Sequence, residues 1–382
     1  MRVAYINKYY PPHLGGIEYH LRDLAEAAAA RGVDARVLVS NESGEEVEET
    51  LGGVRVRRLP RAFAASSTPV APRMRRAIRE EAREADIFHL HFPYPWGEVS
   101  WLAAGAPGPS VMTYHSDIVR QKAGLAAYRP FLLRVMAKVD AIVASSPIMA
   151  RESEFLASFP EKVRVIPFGI HVERFQATED VLARARELRE GHERPVVLFV
   201  GRLIYYKGVD ILVRAMSDVD ADLVLVGSGP LEGRLREMVS AHGLGDRVTF
   251  IQRVDERDLV AWYHAADVFC LPSVARSEAF GLVQLEAHAA GTPVVSTRLT
   301  TGVPFVNEHG VTGLTVEPKD PVALAEALSR LVSDAELRER LGAQARERAL
   351  RDFTHERMVD ETLALYDELL AAAPARGGGG GA

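Results

Sequence analysis

The feature that most constrains this chain is an alternation of short β-branched runs with longer amphipathic stretches, which runs through the first half, stops, and starts again. Val3 to Ile6, Ala35 to Ser40, Ile87 to His91, Ser110 to Tyr114, Ala141 to Ser145 and Val163 to Ile166 read as strands, with helical stretches between most of them. This is the pattern of βα units that build a parallel sheet. Glu18 to Arg31 is the clearest helix: Leu21, Leu24, Ala25 and Ala28 line one face, and Gly32 follows as a C-terminal stop. Val54 to Leu59 is expected as an extra strand off the main sheet. After Pro167-Phe168-Gly169 a charged stretch from Thr178 to Arg194 intervenes, and the alternation restarts at Pro195-Val196-Val197-Leu198-Phe199-Val200-Gly201. Strands follow at Leu223 to Val226, Val248 to Ile251, Val268 to Leu271 and Pro293 to Ser296. The restart implies an α/β chain of two consecutive doubly wound domains. With 382 residues, 47% of them hydrophobic, there is material for two cores.

Leu324 to Leu331 and Leu337 to Ala349 are expected as exposed helices rich in Arg and Glu, and Thr354 to Leu370 as a last amphipathic helix with Met358, Leu363, Tyr366 and Leu369 or Leu370 on its apolar side. The organisation expected is a first domain over 1–172, a second over 173–353, the helix over 354–372 and a glycine-rich, disordered tail over 373–382.

A formal net charge of −6 argues against a general nucleic-acid binder, which needs a concentrated basic face. The one cysteine, Cys270, lies in an apolar run, so neither a disulfide framework nor a C-x-x-C pair is expected, and a reducing, cytoplasmic setting fits. The opening Met1-Arg2-Val3-Ala4-Tyr5-Ile6 lacks the hydrophobic length of a signal peptide, and no run approaches a spanning helix.

Four places bring together residues that could carry chemistry. In Ser277-Glu278-Ala279-Phe280-Gly281-Leu282-Val283-Gln284-Leu285-Glu286, a helix opening near Gly281 leaves Glu278 in the loop before it and Glu286 more than a turn inside, with helix N–H groups suited to a diphosphate. Two solvated glutamates beside an ordinary helix start fit the same residues. In Val200-Gly201-Arg202-Leu203-Ile204-Tyr205-Tyr206-Lys207-Gly208, two cations lie at the carboxyl end of the second domain's first strand, where open α/β sheets bind ligands; surface loop side chains are the alternative. Tyr10-Pro11-Pro12-His13-Leu14-Gly15-Gly16 leaves the first strand with two glycines that permit close backbone approach, or simply a tight turn, and it is not the G-x-G-x-x-G of a dinucleotide site. Thr113-Tyr114-His115-Ser116-Asp117 ends another strand; His115 could meet a donor hydroxyl and Asp117 an acceptor hydroxyl, with a structural loop histidine as the plain reading. His89 and His91 read as wall residues, and Gly227-Ser228-Gly229-Pro230 as a turn. No H-E-x-x-H, no C-x-x-C and no D-x-D supported by a neighbouring ligand occurs, and Ser145-Ser146-Pro147 is not a nucleophile elbow.

Taken in order, the Gly15-Gly16 loop, the His115 loop, the Gly201-Arg202 and Lys207-Gly208 pair, and the E-x(7)-E motif from Glu278 to Glu286 resemble the retaining, GT-B-fold glycosyltransferases of the large group 1 family, also called family 4. The resemblance covers the chain up to about Leu370. It implies two Rossmann-like domains facing across a cleft, with the C-terminal helix crossing back to the first. It further implies that Arg202 and Lys207 bind the donor diphosphate, and that Glu278 faces the donor sugar with the backbone of Phe280, Gly281 and Leu282 nearby. Glu286 would hold the ribose hydroxyls, Arg253 and Val254 would lie along the base, His115 would contact the hexose, and Gly16, next to Gly15, would approach the phosphates. Asp117 and Tyr10 are the acceptor-side candidates. No metal and no cofactor beyond the nucleotide-sugar substrate are expected.

On this reading the costly event is departure of a nucleoside diphosphate, stabilised by preorganised cations and helix amides. Loss of Arg202 or Lys207 is expected to lower turnover more than folding. No nucleophile for a double displacement stands out, so a same-face mechanism is expected, in which the leaving phosphate takes the acceptor's proton. The acceptor is expected to be a saccharide or lipid-linked sugar, since the Tyr114 to Lys122 block, Ser296-Thr297-Arg298 and Gly302-Val303-Pro304 resemble members that build exopolysaccharide or O-antigen. GDP-mannose is the preferred donor, ahead of UDP-glucose and UDP-N-acetylglucosamine. Arg73, Arg75, Arg76, Arg79 and Arg83, with Arg120, Lys122, Arg129, Arg134 and Lys138 around Leu125 to Met136, form a basic apron that suits either an anionic leaflet or solvent. The rival readings are a GT-B-fold UDP-N-acetylglucosamine epimerase and a non-catalytic sugar-nucleotide-binding subunit.

Overall fold

The computed structural model describes residues 1–13, 15–65, 68–118 and 122–373. They form two compact units: Met1–Ser145, Ala150–Ile166 and the chain from Met358 make the first, and Ser146–Met149 with Pro167–Arg357 make the second. The chain therefore changes unit after Ile166 and after Arg357 rather than at 172 and 353. The reason is local pairing in the second unit, where the Ile170 amide donates to the Phe353 carbonyl and the His355 amide to the Ile170 carbonyl, both at 2.9 Å. The expected tail beyond Ala373 lies outside the described residues.

The first unit holds strands β1 (Arg2–Ile6), β2 (Asp34–Ser40), β3 (Val47–Leu51), β4 (Val54–Leu59), β5 (Phe63–Ala65), β6 (Thr68–Val70), β7 (Ile87–Phe92), β8 (Ser110–Tyr114), β9 (Ala141–Ala144) and β10 (Val163–Val165). Its main sheet runs β10-β9-β8-β7-β1-β2-β4-β3, and β5 pairs with β6 alone. β4 belongs to this sheet, correcting the expectation of a strand apart from it. It lies parallel to β2 from Arg36 opposite Arg55 to Ser40 opposite Leu59, and Val54, Val56 and Leu59 go into the core. β3 is antiparallel to β4 and carries the acidic, largely exposed sequence Val47-Glu48-Glu49-Thr50-Leu51, which hides its strand character. The helix Gly16–Ala30 buries Leu21, Leu24, Ala25 and Ala28, the face its periodicity predicts. The helix His355–Ala372 buries Met358, Val359, Thr362, Leu365 and Tyr366, so Leu365 takes the place expected for Leu363.

In the second unit, β11 (Val196–Val200), β12 (Asp222–Val226), β13 (Val248–Ile251), β14 (Val268–Leu271), β15 (Val294–Thr297) and β16 (Gly313–Val316) form one sheet in the order β13-β12-β11-β14-β15-β16. All its pairings are parallel. Strand order reverses between β11 and β14, which makes the carboxyl ends of these two strands the topological switch point where open α/β sheets place ligands. β16 has no counterpart among the expected strands. The helices Pro321–Ser333 and Ala335–Asp352, expected to be exposed, bury Leu324, Ala325, Leu328 and Leu331, and Leu337, Leu341, Ala345 and Ala349. Their Arg and Glu residues cover only the outer face.

The helix Leu282–Ala290 leaves the switch point after β14, entered through Gly281 at φ +76. Its far end packs against the helix Ala335–Asp352 at Gly342, where an added Cβ would lie 2.1 Å from the Gly291 carbonyl oxygen. Backbone on both sides leaves no flexible atom to yield. Gly342→Ala is therefore expected to lower unfolding stability by about 1–3 kcal/mol, read from urea denaturation; an unchanged midpoint would mean that the two helices do not need this approach.

Candidate active site

Because β11 and β14 are neighbours, the loops leaving their carboxyl ends meet. Lys207, at the end of the short turn Tyr205–Lys207, places its Nζ 2.7 Å from Glu278 Oε2. Both side chains are buried, at 9% and 7% residue exposure. The same carboxylate oxygen accepts the Ser273 hydroxyl at 2.9 Å, and the Thr297 hydroxyl at the end of β15 donates to the Ser273 carbonyl at 2.6 Å. Burial works to lower the Lys207 ammonium, yet the Glu278 carboxylate beside it prevails and holds it above the ordinary lysine value. Arg202, on the same loop, is exposed and its side chain forms no hydrogen bond or ion pair among the described residues, so its guanidinium is available to a ligand. The first-turn amides of the helix at Leu282 and Val283 have no intrahelical acceptor and carry the positive end of the helix dipole. Phe280 packs its ring edge against Phe168 and Phe353 at centroid distances of 5.3 and 6.1 Å, leaving its backbone as the part that can serve a ligand.

Glu286 lies on the second turn of that helix. Tyr263 donates to its Oε2 at 2.5 Å. Burial raises the Glu286 carboxyl above its usual value, opposed by the Tyr263 hydroxyl and the Lys207 charge. Arg253 and Val254 follow β13, the strand on the far side of β12 from β11, with Arg253 exposed.

In the first unit, Gly16 opens the helix after β1 and has open space where a Cβ would stand, whereas the Glu18 carboxylate folds over Gly15. Leu14 of this loop lies outside the described residues. His115 is buried, with Nε2 2.9 Å from His91 Nδ1. Burial, with His20 and His89 nearby, holds it well below the usual histidine value, so it is neutral at pH 7. His20, His91 and His115 have ring nitrogens within 4.8 Å of one another. A 2.9 Å N···N distance with ring centroids 5.2 Å apart and a 23° interplanar angle sets His91 and His115 edge to edge, so one N–H points at the other's lone pair rather than both lone pairs at a shared cation. His89 is locked between the Tyr366 and Thr113 hydroxyls and depressed to about 3 by burial, as a wall residue should be.

Two acceptor-side expectations change. Tyr10 is fully buried with its hydroxyl unpartnered, so it is a core side chain and presents nothing to an acceptor. Asp117 Oδ1 accepts the Tyr114 and Ser153 hydroxyls, each at 2.8 Å, which ties it to its own strand end and to a segment 36 residues further along the chain. Much of the basic apron is paired too: Arg73 with Glu46, Arg76 with Glu80 and Arg129 with Glu154. Arg75, Arg79, Arg83, Arg134 and Lys138 remain on the surface, while Arg120 and the side chain of Lys122 lie outside what is described. Sequence reasoning missed Ser273 and Tyr263, and gave Thr297 no place in this site. Ser273, just past a strand end on the switch-point edge, could have been found; Tyr263, in the apolar run from Leu259, gave no signal beyond core.

Two doubly wound units of this kind define the GT-B fold class, and the solved sucrose-phosphate synthase of Thermosynechococcus elongatus superposes with a TM-score of 0.81 at 27% identity, covering 97% of this chain and 100% of that one. Residues 183–348 match the family model described as glycosyl transferases group 1, and residues 14–174 match glycosyltransferase family 4. Full-length relatives include the D-rhamnosyltransferase WbpZ of Pseudomonas aeruginosa, 37% identical over 93% of this chain and 92% of that protein. The O-antigen chain mannosyltransferase C of Escherichia coli is 34% identical over 97% of this chain and 99% of its own. The chain belongs to the group 1 glycosyltransferase family and is a glycosyltransferase.

The burial of Lys207 changes what its removal does. Deleting one member of a buried ion pair strands the other charge, so Lys207→Met is expected to cost about 3–5 kcal/mol of stability, and the double change Lys207→Met with Glu278→Leu distinctly less. Chemical denaturation of the four proteins in this cycle checks it; additive losses would show that the two groups are not coupled.

Proposed function

We propose that this glycosyltransferase moves a manno-configured hexose, with retention of anomeric configuration and without a metal, from a GDP-linked donor to a saccharide or lipid-linked acceptor in polysaccharide assembly. The observation that carries the reading is the switch point of the second unit, where exposed Arg202, the Lys207–Glu278 pair and the amides at Leu282 and Val283 converge. A nucleoside diphosphate leaving group develops negative charge as the glycosidic bond breaks. Arg202 and the helix amides stabilise that charge, and Lys207 completes it by sharing its ammonium between Glu278 and a phosphate oxygen. Glu286 accepts from the ribose hydroxyls, with Arg253 and Val254 beside the base.

Retention is supported by how Glu278 is used. A carboxylate already accepting from Lys207 and Ser273 is a weak nucleophile, so the leaving phosphate takes the acceptor proton on the same face. His115, neutral and hydrogen-bonded to His91, is suited to share a hydrogen bond with a sugar hydroxyl. The sugar preference draws on the relatives named for D-rhamnose and for mannose, since D-rhamnose is mannose without its 6-hydroxyl. No helix among the described residues is long and apolar enough to cross a membrane. Peripheral contact is supported by Phe131, 43% exposed, at helical spacing from exposed Arg134 and Lys138 in the helix Lys122–Lys138.

Arg202 gives the clean test, because it is exposed and unpaired. Arg202→Ala is expected to lose at least about a hundredfold in kcat with an unchanged melting temperature, and GDP-mannose is expected to raise the wild-type melting temperature more than UDP-glucose or UDP-N-acetylglucosamine. Near-wild-type turnover of Arg202→Ala on a sugar acceptor would overturn the assignment of the diphosphate site.

A further inference from the structure

We propose that Tyr263 is a positioning residue that sets recognition of the nucleotide's ribose, by fixing the Glu286 carboxylate through its hydroxyl. The inference rests on the reading that Glu286 holds the ribose hydroxyls and adds the group that makes it able to.

Tyr263 belongs to the helix Glu256–Ala265 and Glu286 to the helix Leu282–Ala290, so the 2.5 Å hydrogen bond ties two elements across the second unit. Tyr263 has no freedom to follow Glu286. Its ring is fully buried, set edge-on to Phe175 at 5.8 Å and tilted against Phe269 at 5.6 Å, and its backbone carbonyl accepts the Thr292 hydroxyl at 2.6 Å. A glutamate carries three side-chain torsions, and an untied carboxylate would sample several rotamers before meeting a ligand. The Tyr263 bond consumes one lone pair of Oε2. An ionised carboxylate has about four lone-pair sites, so it retains acceptors for a vicinal pair of hydroxyls, the cis-diol of a ribose.

The hydroxyl also maintains the charge state that this needs. Enclosure raises the Glu286 carboxyl, and the two groups that oppose it are Tyr263, by hydrogen bonding, and Lys207, by its charge. Of the charged residues on the other elements packed around this helix, Glu173 pairs with His171, Arg174 with Glu256 and Arg348 with Glu308, while Arg346 lies at the helix's far end beside Gly291. Without the tyrosine hydroxyl the carboxyl moves toward its neutral form, which gives up acceptor capacity to a bound proton. Tyr263→Phe removes this one atom and keeps the ring in its packing.

The test is calorimetric binding of GDP, UDP and ADP to the wild type, followed by the 2′,3′-dideoxy form of whichever binds, with Tyr263→Phe and Glu286→Ala measured alongside. Tyr263→Phe is expected to weaken the ribonucleotide about tenfold, the scale of one hydrogen bond to a charged group, and to leave the dideoxy form unchanged. With the nucleotide sugar, KM is expected to rise more than kcat falls. The ribo-to-dideoxy ratio is taken within one preparation, so partial unfolding of a variant cancels. A Tyr263→Phe ratio equal to wild type while Glu286→Ala loses discrimination would overturn the role of Tyr263 alone. A wild-type ratio in Glu286→Ala would overturn the ribose reading and this inference with it.

Discussion

The ion pair between Lys207 and Glu278 organises the second unit's carboxyl edge. Burying two charges carries a desolvation penalty of several kcal/mol per ion, which is repaid only with close geometry and further hydrogen bonds. Here the contact is 2.7 Å and Ser273 adds a second donor to the same oxygen. That arrangement exists because β11 and β14 are adjacent although they are distant in the chain, which follows from the β13-β12-β11-β14-β15-β16 order. A cation and an anion held at the switch point of such a sheet form a polar floor onto which a charged ligand can exchange. Glu278 outweighs burial and keeps Lys207 protonated, so on the proposed reading a phosphate meets an ammonium already in place.

The surrounding features serve to keep that floor rigid. Gly281 turns the chain in a left-handed conformation into the helix that carries Glu286, and Gly342 lets the supporting helix approach that element's far end. Tyr263 ties the carboxylate of Glu286 to a neighbouring helix. Arg202 is left exposed, which gives the site one exposed cation beside one buried cation. In the first unit His89 and His115 are both buried and neutral: His89 is held by two hydroxyls inside the sheet, and His115, at the end of β8, by His91.

The parallel sheets were legible because their central strands are buried on both faces and read as continuous apolar, largely β-branched runs. Strands without that signature were not. β3 is acidic and at an edge, β5 and β6 are three-residue strands that pair only with each other, β16 opens on a glycine, and β4 looked detached because Arg55, Arg57 and Arg58 interrupt its apolar positions. The Arg- and Glu-rich helices were expected to be exposed because charge was weighed above the leucine spacing that seats them. In the site, Arg202, Lys207, Glu278 and Glu286 could be named from their places at strand ends and a helix start. Their pairing could not, since which loops meet depends on strand order. Tyr10 is a core side chain for a related reason: position in the chain does not say whether a side chain turns inward.

The central claim is that the donor diphosphate binds at the switch point formed by Arg202, Lys207 and the start of the helix Leu282–Ala290. A crystal structure with an unreactive GDP-hexose analogue tests it most directly. The account predicts phosphate oxygens within hydrogen-bonding distance of the Arg202 guanidinium, of Lys207 Nζ and of an amide at Leu282 or Val283. A diphosphate bound elsewhere, with Lys207 still committed wholly to Glu278, would contradict it.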